Sequence, residues 1–312
     1  MKLSIIVPVY NLEKYISKTL DSLENIDFPF QYEIIVVNDG SIDMTSKILE
    51  QYSKQYDNIN VITISNGGVS NARNQGLSMA TGEYVTFVDG DDTVERPFFR
   101  QAIYELDHND YDFVQCNYRT IKIDLSEQYS QFVECKVISK DKSDMLERFL
   151  SNQKTIHNTV WGKVFRHSTI RGLKFDTTLS VAEDQKYVFD IILRASSIAL
   201  LECIGYNYYQ RTDSAMNNRD TNKVFDKLYV LDYMKKHIRN ESIQVKLKVS
   251  EFYMLLDLYR TCKKMHEPTN MCLERLKMID IKSVYGLISK RALTEYILLM
   301  NFRLVYDLLI RI

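Results

Sequence analysis

The chain has 312 residues, of which 45% are hydrophobic, so it can bury a large core and hold a catalytic domain with an extension. Its formal net charge of −1 gives no general case for nucleic-acid binding. Its five cysteines form no Cys-x-x-Cys pair, its five histidines show no zinc spacing, and no signal peptide is evident, so we expect a cytoplasmic protein with reduced thiols.

Apolar strands alternate with helical patterns through the first hundred residues. The strands are apolar along nearly their whole length, which is typical of parallel strands covered on both faces. We therefore predict an α/β fold with a mostly parallel sheet and helices on both of its faces. The predicted strands are 3–7, 33–37, 61–64 and 84–88, and the predicted helices are 12–23, 43–56 and a short helix after Asn74.

A polar segment follows each predicted strand. In open parallel sheets, ligands bind beyond the carboxyl ends of the strands, so these segments should meet at one crevice. The segments are residues 8–11, 38–41, 66–74 and 89–92. The last of them contains Asp89-Gly90-Asp91, a D-x-D pattern whose carboxylates suit Mg²⁺ or Mn²⁺ held between protein and substrate phosphates. Alone this pattern is weak, because Asp and Gly also form ordinary turns.

Four ordered motifs of the chain resemble family 2 glycosyltransferases, which have the GT-A fold. The resemblance covers about residues 1–215. It implies inverting transfer of a sugar from a nucleotide donor, commonly a UDP-sugar, with a divalent metal. The motifs are Val7-Pro8-Val9-Tyr10-Asn11, Val37-Asn38-Asp39-Gly40-Ser41, Gly67-Gly68-Val69-Ser70-Asn71-Ala72-Arg73-Asn74 and Phe87-Val88-Asp89-Gly90-Asp91-Asp92. The chain departs from the pattern at Asn38, where many relatives carry an aspartate.

The resemblance also implies roles on the donor side. Asp39 is expected to accept a hydrogen bond from the uracil, and Asp91 is expected to bind the metal. Asp89 would contact the ribose, or the metal through water. The backbone of Pro8, Val9 and Tyr10 would lie beside the base, and Asn66 and Gly67 would approach the donor closely.

Other interpretations of these polar residues stay open. Asp39 also suits a turn, and Asp92 could cap the following segment. Arg73 either reaches the donor phosphates or ties its loop to the sheet. Glu13 and Asp43 suit helix starts, where carboxylates are favoured by the helix dipole.

The middle of the chain is predicted to bind the acceptor. We predict a strand at 111–118, an irregular polar stretch at 120–142 and a helix at 144–150. The segment from Val160 to Phe165 resembles the family's W-x-K segment; its Trp161 either packs in the core or stacks on an acceptor sugar. Arg211 lies in a segment that resembles the family's Y-x-x-R-x-x-S motif, and it either closes over the diphosphate or forms a surface ion pair.

Glu183 and Asp184 open a predicted helix and resemble the family's catalytic base region. The resemblance implies that Asp184 is the general base for the acceptor hydroxyl, whereas the plain alternative is a helix cap. Glu183 would orient the loop or bind the acceptor. Because Asp184 stands at the positive end of a helix, we expect a low pKa and an ionised carboxylate.

The last ninety residues are basic and helical in pattern. Residues 222–312 carry 17 Lys or Arg against 10 Asp or Glu. We predict a catalytic domain at 1–221, divided into a donor half (1–100) and an acceptor half (101–221), followed by a helical region at 222–312. Arg303, Asp307 and Arg311 argue against a membrane span in the last helix. A peripheral membrane contact, a homodimer contact and packing on its own domain stay open. The predicted helices are 222–237, 242–264, 270–279 and 284–312.

The sequence therefore predicts an inverting glycosyltransferase that moves a hexose or N-acetylhexosamine from a UDP-sugar to a hydroxyl of a growing glycan. A capsule or cell-wall polysaccharide, or a glycoprotein glycan, would be the product, on a lipid-linked or protein-linked acceptor. Two alternatives are a GT-A protein that has lost catalysis and a sugar-nucleotide pyrophosphorylase. The latter should carry a Gly- and Arg-rich loop where this chain has Pro8-Val9-Tyr10-Asn11.

Overall fold

The computed structural model describes residues 1–24, 28–122, 128–131, 137–150, 155–210 and 221–309. They fall into two compact units. The first comprises Met1–Leu179 and Glu183–Ser214, and the second comprises Ser180–Ala182 and Ala215–Ile312.

The first unit is built on one ten-stranded sheet with the order β3-β2-β1-β4-β9-β6-β10-β5, in which β7 pairs with β6 and β8 with β10. β1, β2, β3 and β4 run parallel, whereas β9 pairs antiparallel with both β4 and β6. The predicted α/β class is thus confirmed. The strands are β1 (Leu3–Val9), β2 (Tyr32–Asn38), β3 (Ile59–Thr63), β4 (Tyr84–Phe87), β5 (Thr93–Val94), β6 (Phe113–Lys122), β7 (Gln128–Gln131), β8 (Val137–Ser139), β9 (Lys163–Arg166) and β10 (Ile198–Gln210).

Helices cover this sheet, and alternate strand residues supply the two hydrophobic layers. Ile5 and Val7 belong to the larger core cluster, whereas Ile35 and Val37 pack with Ala72. The helices of this unit are α1 (Ile16–Glu24), α2 (Thr45–Gln55), α3 (Val69–Met79), α4 (Arg96–His108), α5 (Lys142–Leu150), α6 (His167–Ile170) and α7 (Glu183–Arg194).

Helix α3 lies unusually close to the sheet because of one glycine. A Cβ placed on Gly76 would lie 2.5 Å from Ile6 Cγ2, so only glycine permits this approach. The helix begins at Val69, directly after Gly68, whose φ of 85° favours glycine. The segment that we expected to lead into a short helix after Asn74 is therefore itself helical, and Arg73 projects from α3.

Two predictions of local structure were wrong. The stretch 120–142, expected to be irregular, contains the end of β6, a hairpin partner β7 and β8. β7 has the polar sequence Gln-Tyr-Ser-Gln and β8 is only three residues long, so neither shows the long apolar pattern on which the prediction depended. The helix expected at 284–312 is interrupted at Tyr285–Ser289 and again at Phe302.

The second unit is helical. Its helices are α8 (Thr221–His237), α9 (Glu241–Lys264), α10 (Asn270–Met278), α11 (Ile281–Val284), α12 (Lys290–Asn301) and α13 (Arg303–Leu309). None of the helices in the described ranges is both long enough and apolar enough to cross a membrane.

Two polar clusters join the helices of the second unit. Arg275 on α10 pairs bidentately with Asp232 on α8, at 2.9 and 2.8 Å, and also binds Glu251 on α9. Lys235 donates to the same Glu251 at 2.6 Å. On α13, Asp307 accepts from Tyr259 at 2.6 Å, which ties this helix to α9.

Candidate active site

The loops after β1 and β2 are joined by side-chain hydrogen bonds. The backbone amide of Asn11 donates to Ser41 Oγ at 3.0 Å, and that of Ile42 donates to Asn11 Oδ1 at 2.9 Å. Glu13 accepts from the Met44 amide at 3.0 Å, and Asp43 accepts from the Thr45 amide at 3.0 Å. Glu13 and Asp43 therefore order the helix starts, as their plain interpretation predicted.

Asp39 fixes the glycine loop that follows β3. Its carboxylate oxygens accept from the backbone amides of Gly67 and Gly68, each at 2.8 Å, and the residue is 3% exposed. Asn66 donates to the Asp39 carbonyl oxygen at 3.1 Å. A uracil N–H would have to share one of the two carboxylate oxygens, so the uracil contact of Asp39 stays a prediction. Pro8 and Val9 are buried, whereas Tyr10 is 46% exposed.

Asn38 is suited to its site as an amide. Its Nδ2 donates to Ser46 Oγ at 2.9 Å, and its Oδ1 accepts from the Ser41 amide at 3.1 Å. A carboxylate at this buried position could accept but not donate. The asparagine that replaces the family's aspartate thus supplies an N–H donor to a hydrogen bond at the end of β2.

The D-x-D turn after β4 packs tightly against the β1 loop. A Cβ on Gly90 would lie 2.8 Å from Leu12 and 3.1 Å from the Pro8 carbonyl oxygen, so glycine is required. Asp92 is 1% exposed and accepts from Tyr206 Oη and the Tyr209 amide, each at 2.8 Å. Burial, together with Asp91 and Asp89, raises the pKa of Asp92 well above its usual range. Asp92 thus holds β10 and does not cap α4.

Arg73 joins the D-x-D turn to the start of α7. Its guanidinium donates to Asp89 at 2.9 Å, to Glu183 at 3.1 Å and to Asp184 at 2.6 Å. Arg73 is 3% exposed, and its Nε has no partner among the described residues. Burial opposes its charge, but the three carboxylates raise its pKa. Arg73 thus ties α3 to the turn after β4 and to the start of α7, and its contact with the donor phosphates stays a prediction.

Asp184 is held by both of its oxygens. Oδ1 accepts from Arg73, and Oδ2 accepts from the Val160 amide at 3.1 Å. Burial raises the pKa of Asp184 to about 7; Arg73 opposes this rise, whereas Glu183 and Asp89 add to it. The low pKa expected from the helix dipole was wrong, because three carboxylates share one guanidinium in a buried place. A carboxylate with this pKa is matched to proton transfer at neutral pH.

The helix that carries Asp184 begins abruptly. Ala182, the residue before α7, has a φ of 64°, a conformation that is uncommon without glycine. Such strain is often found at functional sites. Glu183 and Asp184, the first two residues of α7, therefore follow directly after a residue whose backbone conformation is costly.

Asp89 and Asp91 were the predicted metal ligands. One oxygen of Asp89 is bound by Arg73, and the described residues contain no group of three or more His, Cys, Asp or Glu side chains arranged for a metal. Mg²⁺ typically takes only one or two protein carboxylates and fills its other positions with phosphates and water. The donor set of this turn fits such an ion when a diphosphate supplies the remaining ligands.

Trp161 is 6% exposed and packs within an aromatic group. Its ring stacks on Tyr206 at a centroid distance of 4.5 Å and on Tyr208 at 5.7 Å, and it meets Tyr118 edge-on at 5.0 Å. These contacts match the core-packing interpretation. Its contact with an acceptor stays a prediction, and Arg211 lies outside the described residues.

Three groups that contact this site received no role in the sequence analysis. Tyr206 Oη bridges the Asp89 amide and the Asp92 carboxylate, Val160 donates through its backbone, and Lys163 is fully buried behind the Val160 turn. A backbone donor leaves no trace in the residue types. Lys163 did carry a signal, because it is a lone charge inside the run Val160-Trp161-Gly162-Lys163-Val164-Phe165.

Several known proteins resemble this chain in sequence. EpsJ of Bacillus subtilis, described as an uncharacterized glycosyltransferase, is 34% identical over 218 residues. The match covers 68% of this chain and 62% of EpsJ. The poly(ribitol-phosphate) beta-glucosyltransferase of Bacillus spizizenii is also 34% identical, over 68% of this chain and 33% of that protein. The chain thus spans less than two thirds of the length of these relatives.

The fold has a close counterpart among solved structures. The structure of Staphylococcus aureus TarS 1–349 in complex with UDP-GlcNAc superposes with a TM-score of 0.65 at 24% identity, covering 97% of this chain and 82% of that one. The sequence profile described as Glycosyl transferase family 2 matches residues 4–178, more than half of the chain. With the α/β sheet, the Asp89 turn and the Asp184 helix start in place, the chain belongs to family 2 of the glycosyltransferases.

Proposed function

We propose that this chain transfers a sugar from a UDP-sugar to a hydroxyl of a glycan acceptor, with inversion at the anomeric carbon. One observation carries the proposal: the guanidinium of Arg73 binds both Asp184 at the start of α7 and Asp89 at the end of β4. The candidate base and the candidate donor turn therefore belong to one hydrogen-bonded cluster. This arrangement suits a reaction in which attack and departure occur in a single step.

In the proposed reaction Asp184 accepts the proton of the acceptor hydroxyl. The acceptor oxygen forms a bond to the anomeric carbon as the bond from that carbon to the diphosphate breaks, so an α-linked donor gives a β-linked product. Since the pKa of Asp184 is about 7, a large fraction of the carboxylate is ionised at neutral pH. Glu183, bound to the same guanidinium, orients the start of α7 or contacts the acceptor.

The donor is proposed to bind at the loops after β1, β2 and β3. Asp39 orders the amides of Gly67 and Gly68, and exposed Tyr10 stands at the end of β1. Asn66 is exposed beside them. Structures of the fold relative TarS with UDP and with UDP-GlcNAc support a uridine nucleotide as the donor.

We propose Mn²⁺ or Mg²⁺ at Asp91, with Asp89 as a second or water-mediated ligand. When bound, such an ion neutralises charge on the departing diphosphate. Asp89 is already held by Arg73, so its position does not depend on the donor. Asp92, whose oxygens are taken by β10, is not proposed as a ligand.

The acceptor is proposed to be a cell-envelope glycan or polyol phosphate polymer. The support is that relatives are named poly(ribitol-phosphate) glycosyltransferases, including TarS of Staphylococcus aureus at 31% identity over 67% of this chain. We also propose that the helical unit contacts an anionic membrane surface, since α13 exposes Leu304, Val305 and Leu309 in a basic region. Flotation with acidic liposomes tests this contact; a dimer seen by light scattering would replace it.

The test is a panel of nucleotide sugars, scored for transfer and hydrolysis with and without a chelator. We expect a UDP-sugar to be used, chelator to stop transfer, and Asp91→Ala to do the same while the exposed Asp57→Ala remains active. UDP with Mn²⁺ should raise the melting temperature by mass action, and Asp39→Ala should weaken this effect. Equal stabilisation by GDP would contradict the uridine assignment. Binding of UDP without any transfer would favour a protein that has lost catalysis.

A further inference from the structure

Lys163 is the first residue of β9 and is 0% exposed. Its ammonium donates a hydrogen bond to the carbonyl oxygen of Thr159 at 2.6 Å. A buried ammonium is costly unless charge or hydrogen bonding compensates it. A core lysine whose partner among the residues the structure describes is one carbonyl therefore calls for a reason beyond packing.

The reason lies on the other side of the same peptide group. The carbonyl of Thr159 and the N–H of Val160 belong to one planar peptide unit, and in a trans peptide they point in opposite directions. That N–H donates to Asp184 Oδ2 at 3.1 Å. The peptide between Thr159 and Val160 thus lies between a cation at its oxygen and a carboxylate at its nitrogen.

This order of charges strengthens both hydrogen bonds. A peptide dipole is stabilised when its negative end faces a cation and its positive end faces an anion. Hydrogen bonds in such a chain polarise one another, and bonds to ionised groups are stronger than neutral ones. The two oxygens of Asp184 are then held differently: Oδ1 directly by Arg73, and Oδ2 by a peptide that Lys163 polarises.

We propose that Lys163 is a positioning residue for the base Asp184, acting through the peptide between Thr159 and Val160 to fix Oδ2 and to favour the ionised carboxylate. This inference rests on the proposed function, because it assigns a partner to the proposed base. Lys163 touches neither donor nor acceptor in this scheme. Its place in the core does not depend on the acceptor, and when protonated it supplies the positive end of the chain of hydrogen bonds to the base.

The surroundings of both groups agree with this role. Burial lowers the pKa of Lys163 to about 7, and Asp184 and Cys116 oppose the fall. Lys163 in turn adds to the effect of burial in lowering the pKa of His157. Lys163 and Asp184 therefore titrate in the same range, and loss of the Lys163 proton removes the positive end of the chain. The charged or titratable groups facing the pair are Arg73 on α3, Asp89 after β4, Cys116 on β6, His157 before β9 and Glu183 on α7.

The test compares Lys163→Met with a matched control, Lys142→Met. Lys142 also donates to main-chain carbonyls, those of Ile192, Leu193 and Ala195 at the end of α7, but it lies at the opposite end of that helix from Asp184. Each variant is labelled with ¹³C at the aspartate carboxyl carbons and titrated by NMR. The Asp184 signal is identified by its loss in Asp184→Asn. Transfer by each variant is measured over the same pH range.

In Lys163→Met we expect the Asp184 signal to titrate higher by about half a pH unit or more. We expect transfer to fall roughly 10-fold or more, with UDP affinity unchanged, because the donor loops are not touched. Lys142→Met should keep the Asp184 titration and the pH profile of the parent, whatever its melting temperature. Lys163→Arg keeps the cation, so Asp184 should titrate in this variant as it does in the parent.

The two kinds of failure are distinguishable. If the parent transfers no sugar, the proposed function fails, but the NMR titration still reports on Lys163. If Lys163→Met is folded and Asp184 titrates as in the parent, the positioning role is overturned even in an active enzyme. If Lys163→Met does not fold, Lys163→Arg decides: an Asp184 titration that moves upward there despite the retained cation would overturn the inference.

Discussion

Each unit of this protein contains an arginine surrounded by carboxylates, and the two clusters differ in charge balance. Around Arg275, two cations meet two carboxylates, since Lys235 binds Glu251 and Arg275 binds both Glu251 and Asp232. Around Arg73, one guanidinium meets three carboxylates, and its side chain is 4% exposed against 25% for Arg275. A balanced cluster can only hold helices together. A buried cluster with surplus negative charge can also take up a proton or a cation, which is what a base and a metal turn require.

The largest difference between the clusters should follow removal of each arginine. Arg73→Met leaves three partly buried carboxylates without their cation, so we expect a loss of about 2–4 kcal/mol in the free energy of unfolding, together with loss of transfer. Arg275→Met leaves Lys235 in place and its cluster is more exposed, so we expect about 1–2 kcal/mol and retained transfer. Urea unfolding of both variants measures this. Equal losses would mean that charge balance does not separate the two sites.

The next effect concerns the base. Asp184→Asn keeps the size of the side chain and removes one surplus negative charge, so stability should change by no more than about 1 kcal/mol. It cannot accept a proton, and transfer should fall about 10²-fold or more, with UDP affinity nearly unchanged. Asp232→Asn is the matched control in the balanced cluster and should keep full transfer. A near-normal rate for Asp184→Asn would make Asp184 only a helix cap and would leave Glu183 as the next candidate.

The surplus charge should also appear in the pH dependence of stability. The pKa of Asp184 is raised from 3.8 to about 7 on folding, so its contribution to stability is complete below pH 4 and is lost as pH rises towards 7. We expect the parent to lose about 1–2 kcal/mol more than Asp184→Asn between pH 5 and pH 7. The pKa of Lys163 falls to about 7 on folding, so above pH 7 its titration makes the free energy of unfolding rise with pH, opposite to the effect of Asp184. Unfolding curves at each pH measure this. If the free energies of unfolding of the parent and of Asp184→Asn changed equally with pH, the raised pKa of Asp184 would be contradicted.

The smallest effect should come from adding an acid rather than removing one. Asn38→Asp loses the hydrogen bond to Ser46 and adds a buried carboxylate at the last residue of β2, so we expect a loss of roughly 1 kcal/mol in the free energy of unfolding at pH 7. The loss should shrink near pH 4, where the new carboxyl gains a proton. Thermal melts at the two pH values measure this, with Asn58→Asp, at a partly exposed turn, as the comparison. A larger loss at pH 4 would mean that shape, not charge, limits this position.

The parts of the fold that the sequence predicted are those in which one residue pattern had one physical solution. The apolar runs of β1, β2 and β4 require burial on both faces, and the polar residues that follow them had to meet at one edge. Asp184 was identified as a helix-start carboxylate, and α7 indeed begins at Glu183. By contrast, β7 was missed because its polar side chains do not distinguish a strand from a loop, and β8 because three residues are too few to show a pattern.

What the sequence could not predict were the partners and their consequences. The low pKa expected for Asp184 followed from the helix dipole alone, whereas the observed direction depends on Glu183, Asp89 and burial acting together. The hydrogen bond from Val160 involves the backbone and no side-chain type. Asp39 was assigned to a ligand, but its oxygens first satisfy two glycine amides 28 and 29 residues away. Contacts at that separation are fixed only by the folded sheet.

The restraint on Asp184 indicates which parts of the chain can vary without moving its carboxylate. The contacts described for its carboxylate come from α3 and from the turn before β9, which belong to the framework of the sheet. The strands β7 and β8 supply none of them. We therefore expect that substitutions in β7 and β8 leave the Asp184 carboxylate in its place. Substitutions at Arg73, Val160 and Lys163, by contrast, should change how that carboxylate is held.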